Sequence, residues 1–149
     1  MNDWRSTLNS MIKSRVGVTR AEQENAAFEQ FLDAVALPAL NELAEELITN
    51  HQRNAQVRRA PASVTLQVRD GEEEEITFRV MKHFAPNGIL PRAEVRMIKG
   101  NRYVKYSSMF KPDPQNYNAM EVTQEEIIYC FLKYYGMVMN GGKMAESGE

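Results

Sequence analysis

Few side chains in this 149-residue sequence have a type and spacing suited to bond-making chemistry. His51 and His83 each lack a second histidine or a cysteine at ligand spacing. A structural zinc site, which needs four such donors in a tetrahedral array, is therefore not expected. Cys130, the only cysteine, has Ile127, Ile128, Phe131 and Leu132 as neighbours. A thiol in that setting behaves as a small apolar residue, because a nucleophilic thiolate needs partial exposure and a cationic neighbour. The adjacent acids Glu125 and Glu126 fall in the first turn of an expected helix, where carboxylates complement the positive end of its dipole. The eight glycines are scattered and form neither a phosphate loop nor a dinucleotide fingerprint. No catalytic residue, cofactor or metal is expected.

Charge is the more informative signal. Residues 19–50 carry one basic residue, Arg20, against seven acids, whereas residues 76–112 carry eight basic residues against Glu94 alone. A strand pairing described below sets Arg96 directly opposite Lys105, and like charges so placed repel unless Glu94 or a bound anion offsets them. Arg79, Arg96, Tyr103 and Lys105 are therefore the candidate anion- or nucleic-acid-binding group, since basic side chains hold phosphate and an aromatic ring stacks on a base. Arg53, Arg58 and Arg59 stand nearby in sequence as reinforcement. The isoelectric point near 5.8 and the helix acids oppose that use.

These residues must be positioned by a small set of elements. Trp4, Leu8, Met11 and Ile12 have helical spacing, which Val16-Gly17-Val18 is expected to break. Thr19 and Glu22 fit a capping box opening a second, stronger helix that runs to about Asn50. Phe28, Leu32, Val35, Ala39, Leu43 and Leu47 form its apolar stripe. Pro38 interrupts that stripe, so a kink or break is expected there. An uninterrupted helix of this length overhangs one small sheet, which makes Phe28, Leu32, Val35, Leu43 and Leu47 a candidate self-association surface.

A polar and basic connector, His51 to Pro61, leads into segments of period two. Val64, Leu66 and Val68 pair with the Ile76, Phe78, Val80 set. A three-residue loop, Asp70-Gly71-Glu72, is expected, with Val68 opposite Glu74 and Leu66 opposite Ile76. The acid run Glu72 to Glu75 reads as a solvated hairpin tip. A second hairpin turns at Gly100-Asn101, pairing Lys99 with Arg102, Met97 with Val104, Val95 with Tyr106 and Ala93 with Ser108. Tyr117 to Val122 suggests one more short strand. Thr123 and Glu126 cap a last helix with the stripe Ile128, Phe131, Leu132 and Tyr135.

The expected architecture is α+β: a long N-terminal helical segment, an antiparallel meander of four to five strands, and a C-terminal helix packed on one sheet face. Residues 1–139 form one domain, with 1–18 an N-terminal arm or short helix and 140–149 a disordered tail. Residues 1–15 contain no continuous apolar run and no segment is long enough to span a bilayer, so a cytoplasmic chain with no membrane contact is expected. The leading expectation is a non-enzymatic protein-interaction module, a homodimer with any further protein partner unidentified. The alternative is a nucleic-acid-binding protein that uses the basic outer face of the sheet.

Overall fold

A computed structural model of the protein describes residues 3–86, 88–99, 102–114 and 116–140. Helix α1 spans Asp3–Phe31, a π-helical turn covers Leu32–Ala36, and helix α2 continues over Leu37–His51. Five strands follow: β1 (Asn54–Ala60), β2 (Ser63–Asp70), β3 (Glu73–Ala85), β4 (Gly88–Lys99) and β5 (Arg102–Met109). A 3-10 turn at Ala119–Glu121 leads to helix α3, Gln124–Met139. The strands form one antiparallel sheet in chain order, β1-β2-β3-β4-β5, so the α+β class with a C-terminal helix holds. The proposed tail lies outside the described residues beyond Asn140.

The helices depart from expectation in an instructive way. Val16-Gly17-Val18 does not break α1, and Thr19 lies inside it rather than capping a new helix. One interior glycine costs only about 1 kcal/mol relative to alanine, too little to end a helix flanked by turns on both sides. Pro38 lacks an N–H and crowds the carbonyl four residues earlier. The chain absorbs this in the preceding wide turn, where the Leu37 N–H bonds back to the Leu32 carbonyl. The helix therefore continues through the proline with neither the break nor the fold-back that would have shortened it. At about 1.5 Å per residue the run from Asp3 to His51 is about 70 Å long. It ends where Gln52 adopts a left-handed φ of 58° and the Arg53 N–H bonds the Leu47 carbonyl, turning the chain into β1.

The core is a single layer between the inner sheet face and the helices. Val64, Leu66, Val68, Ile76, Phe78, Val80, Ala93, Val95 and Met97 point inward and are buried. Phe28, Leu32, Leu43 and Leu47 are buried against them and Val35 is half-buried. The candidate self-association residues are therefore occupied by their own chain. The sheet has five strands, within the expected four to five, but the fifth is β1, taken as connector, which supplies Ala55 and Val57 to the inner face. The segment expected as a strand, Tyr117 to Val122, instead forms the 3-10 turn, held by reciprocal Asn118 and Glu121 side-chain bonds. Its Tyr117, Ala119 and Val122 close the core margin.

Both hairpins test the sequence register. The β4–β5 pairs are those expected, Arg96 opposite Lys105 included. In β2–β3 the inner pairs are Val68 with Ile76 and Leu66 with Phe78, two residues from the expected alignment. The tip pairs Asp70 with Glu73 across a two-residue turn, and a bulge near Val68 and Arg69 absorbs the parity mismatch.

Helix α3 opens on the expected box: Thr123 Oγ1 accepts from the Glu126 N–H and Glu126 Oε1 accepts from the Thr123 N–H. Its buried face is Ile127, Phe131 and Tyr134, with the Phe131 ring edge-on to Phe78 at 5.6 Å. Leu132, assigned to the stripe from sequence, is 45% exposed because the true stripe runs 127-131-134. Urea melts should therefore separate two neighbours: Phe131→Ala should cost about 3–5 kcal/mol, and Leu132→Ala less than about 1 kcal/mol. Comparable losses would place α3 in a different rotation.

Burial works to raise the Glu126 carboxyl, but Lys111 Nζ at 2.9 Å and the Thr123 donors outweigh it and hold the group below the usual carboxylate range. A depressed folded value means that this contribution is complete above the ordinary carboxylate range and is lost as pH falls through the folded value. Melts followed from neutral pH down to about pH 3 should lose stability less steeply in Glu126→Gln than in the native chain. Parallel curves would show that Glu126 does not couple folding to pH.

Candidate functional site: the open basic face of the sheet

Among the described residues the helices cover one side of the sheet and leave the other open. On that outer face, alternation projects Gln56 and Arg58 from β1, Thr65, Gln67 and Arg69 from β2, Thr77 and Arg79 from β3, Glu94 and Arg96 from β4, and Lys105 from β5. Eight of these, Gln56, Arg58, Thr65, Gln67, Arg69, Thr77, Arg79 and Arg96, line one shallow depression of about 350 Å³. Four arginines thus share a concavity with two amides and two hydroxyls. Every one of those side chains can donate a hydrogen bond, and an arginine fork matches the geometry of a phosphate or carboxylate.

The repulsion foreseen between Arg96 and Lys105 is offset, but not by Glu94. Arg96 makes a forked contact with Glu74 of β3, Nη2 to Oε1 and Oε2 at 3.2 Å each and Nε to Oε2 at 3.3 Å. Glu74 also accepts from Thr77 Oγ1 at 2.9 Å, and Gln67 Nε2 lies 3.3 Å from Oε1. Glu94 pairs instead with Arg79, at 3.6 Å. The Arg96 guanidinium lies 5.1 Å from the Tyr103 ring centroid, stacked where both remain accessible. Arg79, Arg96, Tyr103 and Lys105 therefore share one face, with the first two already partnered.

Sequence reasoning underestimated the β1 and β2 side. Among the described residues Arg58, Arg69 and Lys105 have no acid within ion-pair distance. Arg69 Nε lies 3.4 Å from Gln67 Oε1. Arg58 was visible only as a basic residue in a connector, and Arg69 only as a strand end beside a turn. Arg53 and Arg59, named with Arg58, go elsewhere. Arg59 faces inward and bridges Asp33 at 2.8 Å and Glu29 at 3.8 Å. Arg53 donates to Glu75 at 2.9 Å, which also accepts from Tyr135 Oη at 2.6 Å.

That second cluster is structural in character. Glu72 and Glu73 are exposed at the hairpin tip, as expected of the acid run, but the bulge turns Glu75 to the inner side while Glu74 points outward, and these two side chains are only 12% and 11% exposed. The Glu75 hydrogen bond raises the Arg53 pKa further above its usual value. Burial, with Glu75 beside it, pushes the Tyr135 phenol up to about 12. Arg53 stays charged and Tyr135 stays neutral at neutral pH, which suits a tie between elements rather than proton transfer.

Among the described residues no three His, Cys, Asp or Glu side chains stand together in a way that could hold a metal ion, and no helix is long and apolar enough to cross a membrane. Comparison with family models, curated proteins and solved structures finds no match for the chain.

Cys130 is half-buried and its Sγ lies 3.8 Å from Ser108 Oγ. Burial pushes its thiol up, against weaker opposing effects from Ser108 and Lys133. Thiol labelling of the folded protein near pH 8 should accordingly be slow and accelerate sharply in urea. Native labelling as fast as that of the unfolded chain would overturn this assignment.

Proposed function

We propose that this protein is a non-enzymatic binding module whose open sheet face takes a single-stranded phosphodiester chain. The observation that carries the reading is the depression lined by Arg58, Arg69, Arg79 and Arg96, with Gln and Thr donors between them. Arg58 and Arg79 share one row of the sheet two strands apart, roughly 10 Å, and Arg96 stands beside Lys105 in the next row, so a phosphate strand crossing the face meets cations from β1, β3, β4 and β5. Arg58, Arg69 and Lys105 supply charge that no acid in the described chain neutralises. Tyr103, 62% exposed, offers a ring on which a base can stack.

The acidic helices are a weaker objection than the sequence suggests. Their acids stand on the far side of the sheet from this face, separated by a helix-on-sheet layer of about 10 Å. The screening length at physiological salt is about 8 Å, so their field at the outer face is largely damped. A duplex fits less well, because a shallow open face has no element projecting into a groove. Protein–protein contact remains the second reading, favoured by the exposed apolar residues near the start of α1.

Fluorescence anisotropy with a labelled 20-nucleotide single strand decides between them. Binding should weaken steeply with salt, and Arg58→Gln with Arg69→Gln should reduce affinity about tenfold or more at low salt while lowering the log–log salt slope by about 1.4, or 0.7 per lost phosphate contact. Glu74→Gln should instead strengthen binding by releasing Arg96. Failure to bind any strand at low salt, where the electrostatic contribution is greatest, removes this function.

A further inference from the structure

The open face carries a further arginine outside the depression. Arg92 follows the alternation of β4 with Glu94 and Arg96, and its direct cross-strand partners are Met81 of β3 and Met109 of β5. All three residues are half-buried. Unlike Arg79 and Arg96, Arg92 has no acid within ion-pair distance among the described residues, and Glu94, two residues along the strand, is taken by Arg79. The Arg92 Nη2 lies 3.5 Å from the Met81 sulfur, and its Nε is shut off from water with no hydrogen-bond partner among the described residues. Buried donors are nearly always partnered, and a thioether is only a weak acceptor, so this cation is poorly matched by its surroundings.

Those surroundings decide what such a group can take. A phosphate is held by several converging N–H or O–H donors, and the thioethers on either side of Arg92 donate none. A planar cation between two polarisable sulfurs is matched instead by a flat π-system, which stacks on a guanidinium and makes favourable contacts with methionine. The opposite end of the face repeats this combination of arginine with an apolar surface. There the Arg96 guanidinium lies against the exposed ring of Tyr103. Tyr103 stands opposite Ile98, six residues beyond Arg92 on β4. At about 3.3 Å per residue the two ends are about 20 Å apart, with Arg79 and Arg96 in the rows between them.

We infer that Arg92, Met81 and Met109 form a second base-stacking platform, so that a single strand seats one base there and another on Tyr103, with its phosphates on the arginines between. The inference rests on the single-strand reading of this face and narrows its ligand. A strand long enough to reach both ends engages both platforms, whereas a mononucleotide reaches only one. It also gives Arg92 a role different from that of Arg58 and Arg69: those act through charge, whereas Arg92 acts through the plane of its guanidinium.

Nuclear magnetic resonance of the full chain with labelled methionine methyl groups, assigned through Met81→Leu and Met109→Leu, reads the platform directly. The single strand used for anisotropy should move both methyl resonances upfield through the ring current of a base. An abasic strand of the same length should bind with the same salt slope and leave them in place. Arg92→Lys keeps the charge and loses the plane, so it should weaken binding of the base-bearing strand about fivefold or more at an unchanged salt slope, and leave abasic binding as it was. Methyl resonances that stay in place while the strand binds with steep salt dependence overturn the platform and leave the proposed function standing. Full affinity in Arg92→Lys, or equal weakening toward both strands, also overturns it. If no strand binds at low salt, the function falls and the platform with it.

Discussion

The inner face of the five-stranded sheet is the surface against which everything else in this chain is organised. Nine side chains from β2, β3 and β4 make it continuously apolar, and an apolar sheet face is stable in water only when another element covers it. The end of α1, the π-helical turn, α2 and α3 all bury residues there. Because the cover is one layer deep and, among the described residues, lies on one side, the opposite face must be soluble by its own chemistry. Its arginines, amides and hydroxyls meet that requirement, and the same requirement makes them available to a ligand.

The elements most legible from sequence were those in which a single periodicity acted alone. The β4–β5 hairpin has clean alternation, and counting from the Lys99 and Arg102 pair gave every pair; the turn expected at Gly100-Asn101 lies outside the described residues. The β2–β3 hairpin satisfied the same parity, but a bulge allowed a shorter turn and moved the register by two. No local pattern announces such a bulge, because it is stabilised at long range: Glu75 turns inward to meet Arg53 and Tyr135, which lie 22 and 60 residues away. Strand β1 was missed because an edge strand that buries Ala55, with only Val57 beside it, offers little hydrophobic contrast.

The site was half legible for a related reason. Arg79, Arg96, Tyr103 and Lys105 share a face because they belong to strands whose register could be counted. Arg58 and Arg69 join them only through the strand that was overlooked and the hairpin that was shifted. Assignment of salt-bridge partners was harder still, since Glu74 reaches Arg96 across a strand boundary that charge counting does not resolve. The breakers in the long helix misled in the opposite direction. Gly17 and Pro38 each impose a local cost, and a wide turn before the proline makes that cost tolerable without ending the helix.

The order of the strands has a consequence for how the molecule assembles. Each strand pairs with the one made immediately before it, so no pairing must wait for a distant part of the chain. As the chain leaves the ribosome the sheet can lengthen one hairpin at a time on a helix already synthesised, with loop-closure entropy small at every step. Helix α3, the last of the described elements, closes over Phe78 from a distance of 53 residues, through Phe131. Cooperative locking of the core is thereby deferred until α3 has emerged, and a chain stopped short of Gln124 has a sheet whose apolar face is incompletely sealed.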